Sequence, residues 1–526
     1  MTRARASIAI AVAAIAAAAA LFTPARAGAT YLPQERVPTD SPVYRDLEQL
    51  ATRYGLSPRF LDTRPLRLKE VWAFLERLAA EPGAAEDPAW LRAARLVDRG
   101  ARGATRPLVV ASADSGRQRL EISPYVSLLY ADDPRYDPDI NRDYRIGVDM
   151  AGSLDTSSVF VVNLYEGTSS QGGRGTPNFG TDNALVEGVD FNSWVDEAYV
   201  EFPVGKTRLL FGRSWLRWGP GRMGTLALSD AAPALDMLRA EATMFRNFRY
   251  TEFVALLDPG PQTYLAGHRL EADVTTRIAL GFEELARFDG TSQVPLYLIP
   301  FVPYSFWEKR PKTGGVSPAD TSGIALSKNN VLWSFDVAWN ARPGLRVWGQ
   351  FMMDDYSFST DYKPDMLGYQ LGLDARRRVR GADAIGATVE YTRVNNYVYS
   401  AWHGHDFGLD GFPLGFVLGP DAQILWGAVE YELGANWQFQ VAADWRRKGE
   451  GQVGDPWLPS DGEVDASAFS GVVEEETRVA ATVAYSPARW LTVQATVGWS
   501  EIENDGNVAS GGESSVPFQL GGRLSW

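Results

Sequence analysis

The chain has 526 residues, no cysteine and a formal net charge of -14. That acidity argues against a nucleic-acid partner, which is usually met by a basic patch on a basic domain. Without cysteine there is no disulfide framework, no thiol nucleophile and no Cys-bound metal. Aromatic residues are frequent (Trp 17, Tyr 21, Phe 24) and stand beside 50 glycines, a composition suited to sheets joined by turns.

The first residues, MTRARASIAIAVAAIAAAAALFTPARA, place Arg3 and Arg5 before an apolar run from Ile8 to Phe22. Ala25-Arg26-Ala27 then forms an A-x-A cleavage site, so residues 1–27 are expected to be a signal peptide. No later stretch reaches the ~20 apolar residues of a spanning helix. An exported chain of this kind is expected to be soluble or a β-barrel.

Residues 28–116 read as a small helical module and its linker. Ser41-Pro42 is an N-cap with proline at the first helical position. Val43, Leu47, Leu50, Ala51 and Tyr54 follow at helical spacing, and Gly55 stops the helix. A second helix is expected from about Leu68 to Ala80, and a third from Asp87-Pro88 to Gly100. No cluster of reactive side chains stands out there.

From residue 117 to the end the period changes to two. Val331, Trp333, Phe335, Val337 and Trp339 alternate with Ser334, Asp336 and Asn340, and Leu491, Val493, Ala495, Val497 and Trp499 with Thr492, Gln494 and Thr496. Such strands carry one apolar and one polar face. Tight connections (Arg342-Pro343-Gly344, Leu433 to Asn436, Ser486 to Arg489) are interspersed with long ones such as 167–190, 288–330, 395–421 and 446–475. Short turns facing the periplasm and long loops facing outward mark an outer-membrane barrel, here of about 16–18 strands. The last stretch, QLGGRLSW, fits a closing strand. Its apolar face would meet lipid, and Trp526 would sit in the interfacial aromatic girdle. Gln519, Gly521, Leu524 and Trp526 also resemble the C-terminal signal read by the bacterial barrel-assembly machinery.

The densest motif is FGRSWLRWGPGRMGTLALSDAAPALDMLRAE, Phe211 to Glu241. It begins as a strand and breaks at Gly219-Pro220-Gly221. Trp215 and Trp218 stand beside Arg213, Arg217 and Arg222. Aromatic faces next to fixed hydrogen-bonding groups suit sugars, and arginine suits the carboxylates of acidic sugars. Interfacial Trp and lumen Arg paired with acids is the plainer explanation of any one of them. Only His268, His403 and His405 exist. His403 and His405 are too sparse a pair to indicate a metal, and no triad stands out. Gly-x-Gly patterns lack the strand–loop–helix setting of nucleotide sites. The stretch GFPLGFVLGPDAQILWGAVEYE reads as an ordered loop folding inward before a strand from Gln423.

GRSWLRWGPGRMGTLALSDAAP, YLAGHRLEAD and PLGFVLGPDA resemble the Wzi family of capsule-assembly outer-membrane proteins. YLPQERVPTDSPVYRDLEQLATRYGL and TRPLRLKEVWAFLERL are similar to the helical segment of its members. The resemblance implies an all-β transmembrane barrel of about eighteen antiparallel strands with a small N-terminal helical periplasmic module. It also implies a non-enzymatic, lectin-like protein that binds, attaches or organises capsular or exported polysaccharide at the cell surface, with no cofactor and no metal. Within the matching stretches, Arg213, Trp215, Arg217, Trp218, Asp230, His268, His403 and Asp421 are the chemical choices for sugar contact. The expected partners are that polysaccharide, outer-membrane lipid and the barrel-assembly machinery. A porin or solute facilitator is the alternative, and a barrel hydrolase the third. The acidic charge would not draw an acidic glycan over long range, which leaves local Arg clusters, a neutral partner or stacking.

Overall fold

The computed structural model describes residues 32–98, 109–113, 118–132, 142–168, 191–308, 329–355, 364–401 and 404–525. The expected signal peptide, His403 and Trp526 lie outside the described residues, as do parts of several long connections.

Among the described residues, eighteen antiparallel strands close into a barrel. In chain order the first nine are β1 (Gln118–Asp132), β2 (Arg142–Ser153), β3 (Val159–Thr168), β4 (Phe191–Val204), β5 (Thr207–Ser214), β6 (Leu235–Met244), β7 (Phe248–Asp258), β8 (Thr263–Asp273) and β9 (Ile278–Asp289). The rest are β10 (Asn330–Arg342), β11 (Leu345–Asp355), β12 (Met366–Arg378), β13 (Ala384–Val394), β14 (Ala422–Leu433), β15 (Trp437–Lys448), β16 (Glu474–Ala488), β17 (Leu491–Glu503) and β18 (Phe518–Ser525). Closure is made by β18, whose Leu520 pairs with Ala495 on one side and Tyr130 on the other. A closed barrel leaves no strand edge unpaired, which a hydrocarbon environment requires. The short strand Val109–Ala113 pairs with the start of β1, so the end of the linker already belongs to the sheet.

The alternation read from the sequence is the inside–outside alternation of the wall. On β10, Phe335, Val337 and Trp339 are exposed while Ser334, Asp336 and Asn340 are buried. Phe211, Leu371, Val441 and Val497 extend the same outward apolar surface around the barrel, as expected of a lipid-facing belt around a polar interior. One end of the barrel carries short turns, such as 205–206, 343–344 and 489–490. The other carries the long connections 215–234, 290–329, 395–421 and 449–473.

The N-terminal module has three helices, α1 (Pro42–Tyr54), α2 (Leu68–Leu78) and α3 (Pro88–Val97). Ser41 Oγ accepts the Val43 N–H at 3.4 Å, and Gly55 ends α1 with φ +69°. Asp87 caps α3 by accepting the Ala89 N–H at 2.9 Å. Leu47, Leu50, Val71, Leu75 and Ala93 fill the module's own core.

This module docks on the short-turn end. The Ser57 N–H donates to Thr276 O at 3.1 Å, and the Gly344 N–H to Thr52 O at 2.7 Å. Arg378 Nη1 reaches Gly83 O at 2.7 Å, and Arg95 Nη1 reaches Asn436 Oδ1 and Ser486 O, each at 2.8 Å. Five turns or turn-flanking strand ends therefore hold the helices against the barrel mouth.

Candidate functional site

The lumen is filled from both ends. After β5 the chain turns inward, and Gly219 adopts φ +117°, a conformation that a residue with a Cβ rarely takes. A Cβ there would also lie 2.8 Å from Gln350 Nε2. The turn lets the Gly219 N–H donate to Asp62 O at 2.8 Å. Beside it, Arg217 and Trp218 pair as a short antiparallel ladder with Arg64 and Thr63 of the module. Trp218 is fully buried and meets Phe253 edge-on at 5.4 Å. Such aromatic pairs add about 0.5–1.5 kcal/mol beyond the area they bury.

The rest of segment 215–234 is clamped by lumen side chains. Glu390 of β13 accepts the N–H groups of Arg222 at 2.7 Å and Met223 at 2.8 Å, and the Trp348 Nε1–H at 2.8 Å. Gln350 Oε1 accepts the Leu226 N–H at 2.9 Å. The connection 395–421 folds onto this segment from the long-loop end. The Ser229 N–H donates to Leu414 O at 2.8 Å, and the Tyr399 hydroxyl donates to Leu226 O. A Cβ on Gly415 would come within 2.1 Å of Leu226 O, so the two inward segments touch backbone to backbone. Phe407, Leu414 and Phe416 join Trp218, Leu226, Phe253 and Leu265 in one apolar core inside the barrel. Inward folding of the stretch from Gly411 to Asp421 was legible in the sequence, and Leu414 and Phe416 lie in the interior core.

Where the module meets the wall, charges are paired rather than solvated. Arg36 donates to Glu201 at 2.7 and 3.1 Å, to Glu241 at 3.0 Å and to Pro65 O at 2.9 Å. Arg92 joins Asp46 at 2.6 Å to Glu432 at 2.5 Å. Thr52 Oγ1 donates to Asp374 Oδ2 at 2.6 Å, and Arg269 Nε donates to Thr63 Oγ1 at 2.8 Å. Burial alone would raise the Glu48 carboxyl, but Arg222, Arg64 and Arg346 hold it below its ordinary range. Pairs this dry fix orientation more than they add net stability, and removing one partner leaves a costly buried charge.

The residues chosen from the sequence separate. Arg217 and Asp230 come together at 3.4 Å, beside Trp218 in the inward segment. Trp215 is buried and donates its indole N–H to Asp196 at 3.2 Å. Arg213 faces the other way. It grips Asp236 at 2.8 and 2.5 Å, on the outward side of the sheet shared with exposed Phe211 and Leu238. Asp421 is a loop organiser: Ser470 donates to it through N–H and hydroxyl at 3.0 and 2.6 Å, and the Gly451 N–H at 3.3 Å. His405 pairs with Asp289 at 3.0 Å.

His268 stands on the outer wall. Its neighbours Arg269 and Glu271 are fully buried toward the module, and the alternation of β8 turns His268 outward. It is nevertheless buried, because residues 290–308 run down the outside of β7–β10 as a strap. The His268 ring lies 4.4 Å from Tyr304, and its Nε2 is 3.1 Å from Glu284. Glu284 also accepts the N–H groups of Tyr304 at 2.7 Å and Ser305 at 3.2 Å and the Trp333 Nε1–H at 2.6 Å. Tyr297, Tyr304 and Phe288 pack into a separate apolar cluster there. Sequence reasoning missed the strap, although VPLYLIPFVPYSFW is unusually apolar for a loop.

The described residues also enclose a cavity in the barrel. This cavity, of about 180 Å³, lies between β2–β4 and β17–β18 of the wall and the entry to α1. Asp149, Asn163, Asp196, Glu197, Trp490 and Arg523 face it. Sequence reasoning did not single out any of them. Polar alternation marks lumen-facing residues on the strands, but not which of them border a cavity.

Comparison with known proteins agrees with this architecture. The family model for capsule assembly protein Wzi matches residues 129–514, more than half of the chain. Among solved structures, the chain is similar to Wzi of Escherichia coli, an outer-membrane protein involved in group 1 capsule assembly and described as a carbohydrate-binding β-barrel. That likeness has a TM-score of 0.61 at 15% identity and covers 93% of this chain and 99% of that one. OccD3 of Pseudomonas aeruginosa is similar at TM-score 0.45 and 9% identity, over 80% of this chain and 95% of that one. Among curated protein sequences, none matches this one. The chain belongs to the capsule assembly protein Wzi family.

Proposed function

We propose that this protein is a lectin-like outer-membrane barrel that binds, attaches or organises capsular or other exported polysaccharide at the cell surface, without catalysing a reaction. The observation that carries this reading is the filled lumen. The module and the segments 215–234 and 395–421 interlock across it through buried ion pairs and one shared apolar core. A solute facilitator needs a continuous aqueous bore, and this interior is spent on packing instead. The docking of helices α1–α3 on the short turns supports the reading of 28–116 as a periplasmic module and linker and 117–526 as the spanning barrel, with the linker's Val109–Ala113 joined to the sheet. Outer-membrane lipid then surrounds the apolar belt, and the barrel-assembly machinery is the partner for the C-terminal strand. Arg217, Trp218 and Asp230 serve to seat the inward segment, and Trp215 is buried and holds Asp196, a residue that faces the cavity.

Two measurements on the purified barrel test the reading. Binding of the host's exported polysaccharide, followed by calorimetry, is expected together with silence in planar bilayers. Steady stepwise conductance without glycan binding would replace this reading with the facilitator.

A further inference from the structure

We propose that the long-loop rim of β12–β16 carries a binding site for the phosphate of an outer-leaflet lipid headgroup, with Arg447 making the contact and Arg393 adding a second positive charge beside it. The inference rests on the reading of the long-loop end as the outside of the cell.

The outward faces of these strands change character in steps toward that end. Leu373, Val389 and Val479 are aliphatic and exposed. The next outward positions, paired in register across the five strands, are Leu371, Tyr391, Leu425, Trp445 and Thr477. Beyond them, again in register, come Tyr369, Arg393, Gln423, Arg447 and Glu475. Apolar side chains give way to rings and then to charges. That is the order of lipid belt, interfacial aromatic girdle and headgroup layer on an outer-membrane barrel. Arg393 and Arg447 are the last outward residues of β13 and β15 before the loops.

The connection 449–473 builds the site over this rim. The Asn396 N–H donates to Ala466 O at 2.9 Å, and Arg393 Nη2 donates to Ser467 O at 2.8 Å. Phe469 is thereby set against both arginines. Its ring centre lies 3.9 Å from the guanidinium carbon of Arg393 and 4.6 Å from that of Arg447. The Trp445 ring lies 5.8 Å from Arg447. An aromatic face steadies a guanidinium through its plane and leaves N–H groups on its edge for an anion.

Donors are left over at both arginines. Arg393 is 3% exposed, and its Nη1 is buried without a hydrogen-bond partner. Arg447 is 34% exposed, and its buried Nε has no partner either. The nearest carboxylates stand off, Asp421 at 3.8 Å from Arg393 and Glu475 at 3.6 Å from Arg447. Both are engaged elsewhere, Asp421 by Ser470 and Gly451 and Glu475 by the Trp445 Nε1–H at 2.6 Å. Two like charges meeting on one ring repel, and an anion beside them offsets that repulsion. Phosphate takes guanidinium N–H groups bidentately and carries more charge than one distant carboxylate. A lipid fits better than a soluble phosphate, because exposed Leu371 and Leu425 on the same outer wall give acyl chains a seat.

Full-length barrel in detergent is titrated with bisphosphorylated lipid A, and bound lipid is counted by native mass spectrometry. Dephosphorylated lipid A and inorganic phosphate are the other probes. Uptake of the bisphosphorylated lipid is expected, with uptake of the dephosphorylated form about tenfold weaker or more and no displacement by inorganic phosphate at equal concentration. Arg447→Gln is expected to weaken uptake about tenfold or more, Arg393→Gln to act in the same direction, and Arg447→Lys to cost less because it keeps the charge. Arg380→Gln, exposed on the short turn between β12 and β13, is expected to change nothing. Heat-modifiable gel mobility confirms that each variant remains a folded barrel. Uptake unaffected by Arg447→Gln in a folded barrel, equal uptake of both lipids, or displacement by inorganic phosphate would overturn the site. Orientation is read separately, by labelling Ser460→Cys in the connection 449–473 with a membrane-impermeant maleimide on intact cells. Labelling of intact cells, combined with arginine variants that bind like wild type, refutes the site alone. Labelling only after lysis refutes the orientation, and the outer-leaflet site with it.

Discussion

Replacing Arg36 with methionine probes how the helical module is held in the barrel mouth. Arg36 is fully buried and its guanidinium makes four hydrogen bonds, three of them to Glu201 and Glu241 on β4 and β6. Burial alone would lower its pKa, but the two carboxylates raise it, so the group is a fixed cation. Methionine keeps much of the volume and removes the charge. Losing one partner of a buried pair costs about 3–5 kcal/mol. The lower figure applies here, because Glu201 keeps Arg208 and has Arg239 at 3.6 Å, while Glu241 keeps Arg67 at 3.1 Å and Arg249 at 3.7 Å. A loss of about 3 kcal/mol raises the undocked population roughly 100-fold. Limited trypsin digestion of the folded barrel reads that population when opening is fast relative to cleavage. Cleavage within α1–α3 is expected to accelerate by about that factor, with the strands still resistant. A rate within twofold of wild type would refute the claim that this ion-pair cluster holds the module.

Other consequences follow from the same contacts. Glu70 is held down to about 2, because Arg249 and Arg67 outweigh the effect of burial. A depressed carboxyl stabilises docking above its unfolded pKa near 4.5 and loses that contribution as pH falls toward 2. Pepsin cleavage of the module is therefore expected to rise between about pH 4 and 2, and Glu70→Gln is expected to flatten that rise. Glu390→Gln weakens the clamp on Arg222 and Met223, with an expected cost of about 1–3 kcal/mol, read as faster nicking within 215–234 and a lower unfolding temperature. On the strap, Phe301 and Phe306 are exposed on the outer wall. Pro295, Pro300 and Pro303 lack N–H groups, and local turns satisfy the Leu296, Tyr297 and Trp307 N–H groups. Such a segment tolerates hydrocarbon. The chain has no native cysteine, so a fluorophore on Phe306→Cys is expected to be quenched by spin-labelled lipid and spared by iodide. The reverse pattern would place the strap in water.

Much of the architecture was legible because one physical rule governs each part. The outward Phe335, Val337 and Trp339 and the inward Ser334, Asp336 and Asn340 are a period-two pattern that any half-buried strand must show. Pro343-Gly344 and 434–436 read as short turns, and Ser41-Pro42 to Gly55 as a capped helix, since these conformations need those residue types. The parts that were not legible depend on long-range contacts. Arg213 looks like a lumen arginine until the cross-strand pairing with outward Asp236 fixes its side. His268 and Arg269 are adjacent, yet one lies under the strap and the other against the module. The bulge in β4 that turns both Asp196 and Glu197 to the cavity carries no glycine or proline signal. The ladder between Thr63-Arg64 and Arg217-Trp218 joins segments far apart in the chain. Trp218 was therefore read as a stacking platform, when its ring is the buried centre of the plug.

The account's central claim is surface organisation of polysaccharide by a closed barrel, and a deletion strain tests it most directly. The quantity to measure is polysaccharide retained on cells against polysaccharide shed into the medium, with total synthesis measured alongside. The account predicts that retention falls while the total holds, and that full-length protein supplied in trans restores retention. Unchanged retention with unchanged total would contradict it.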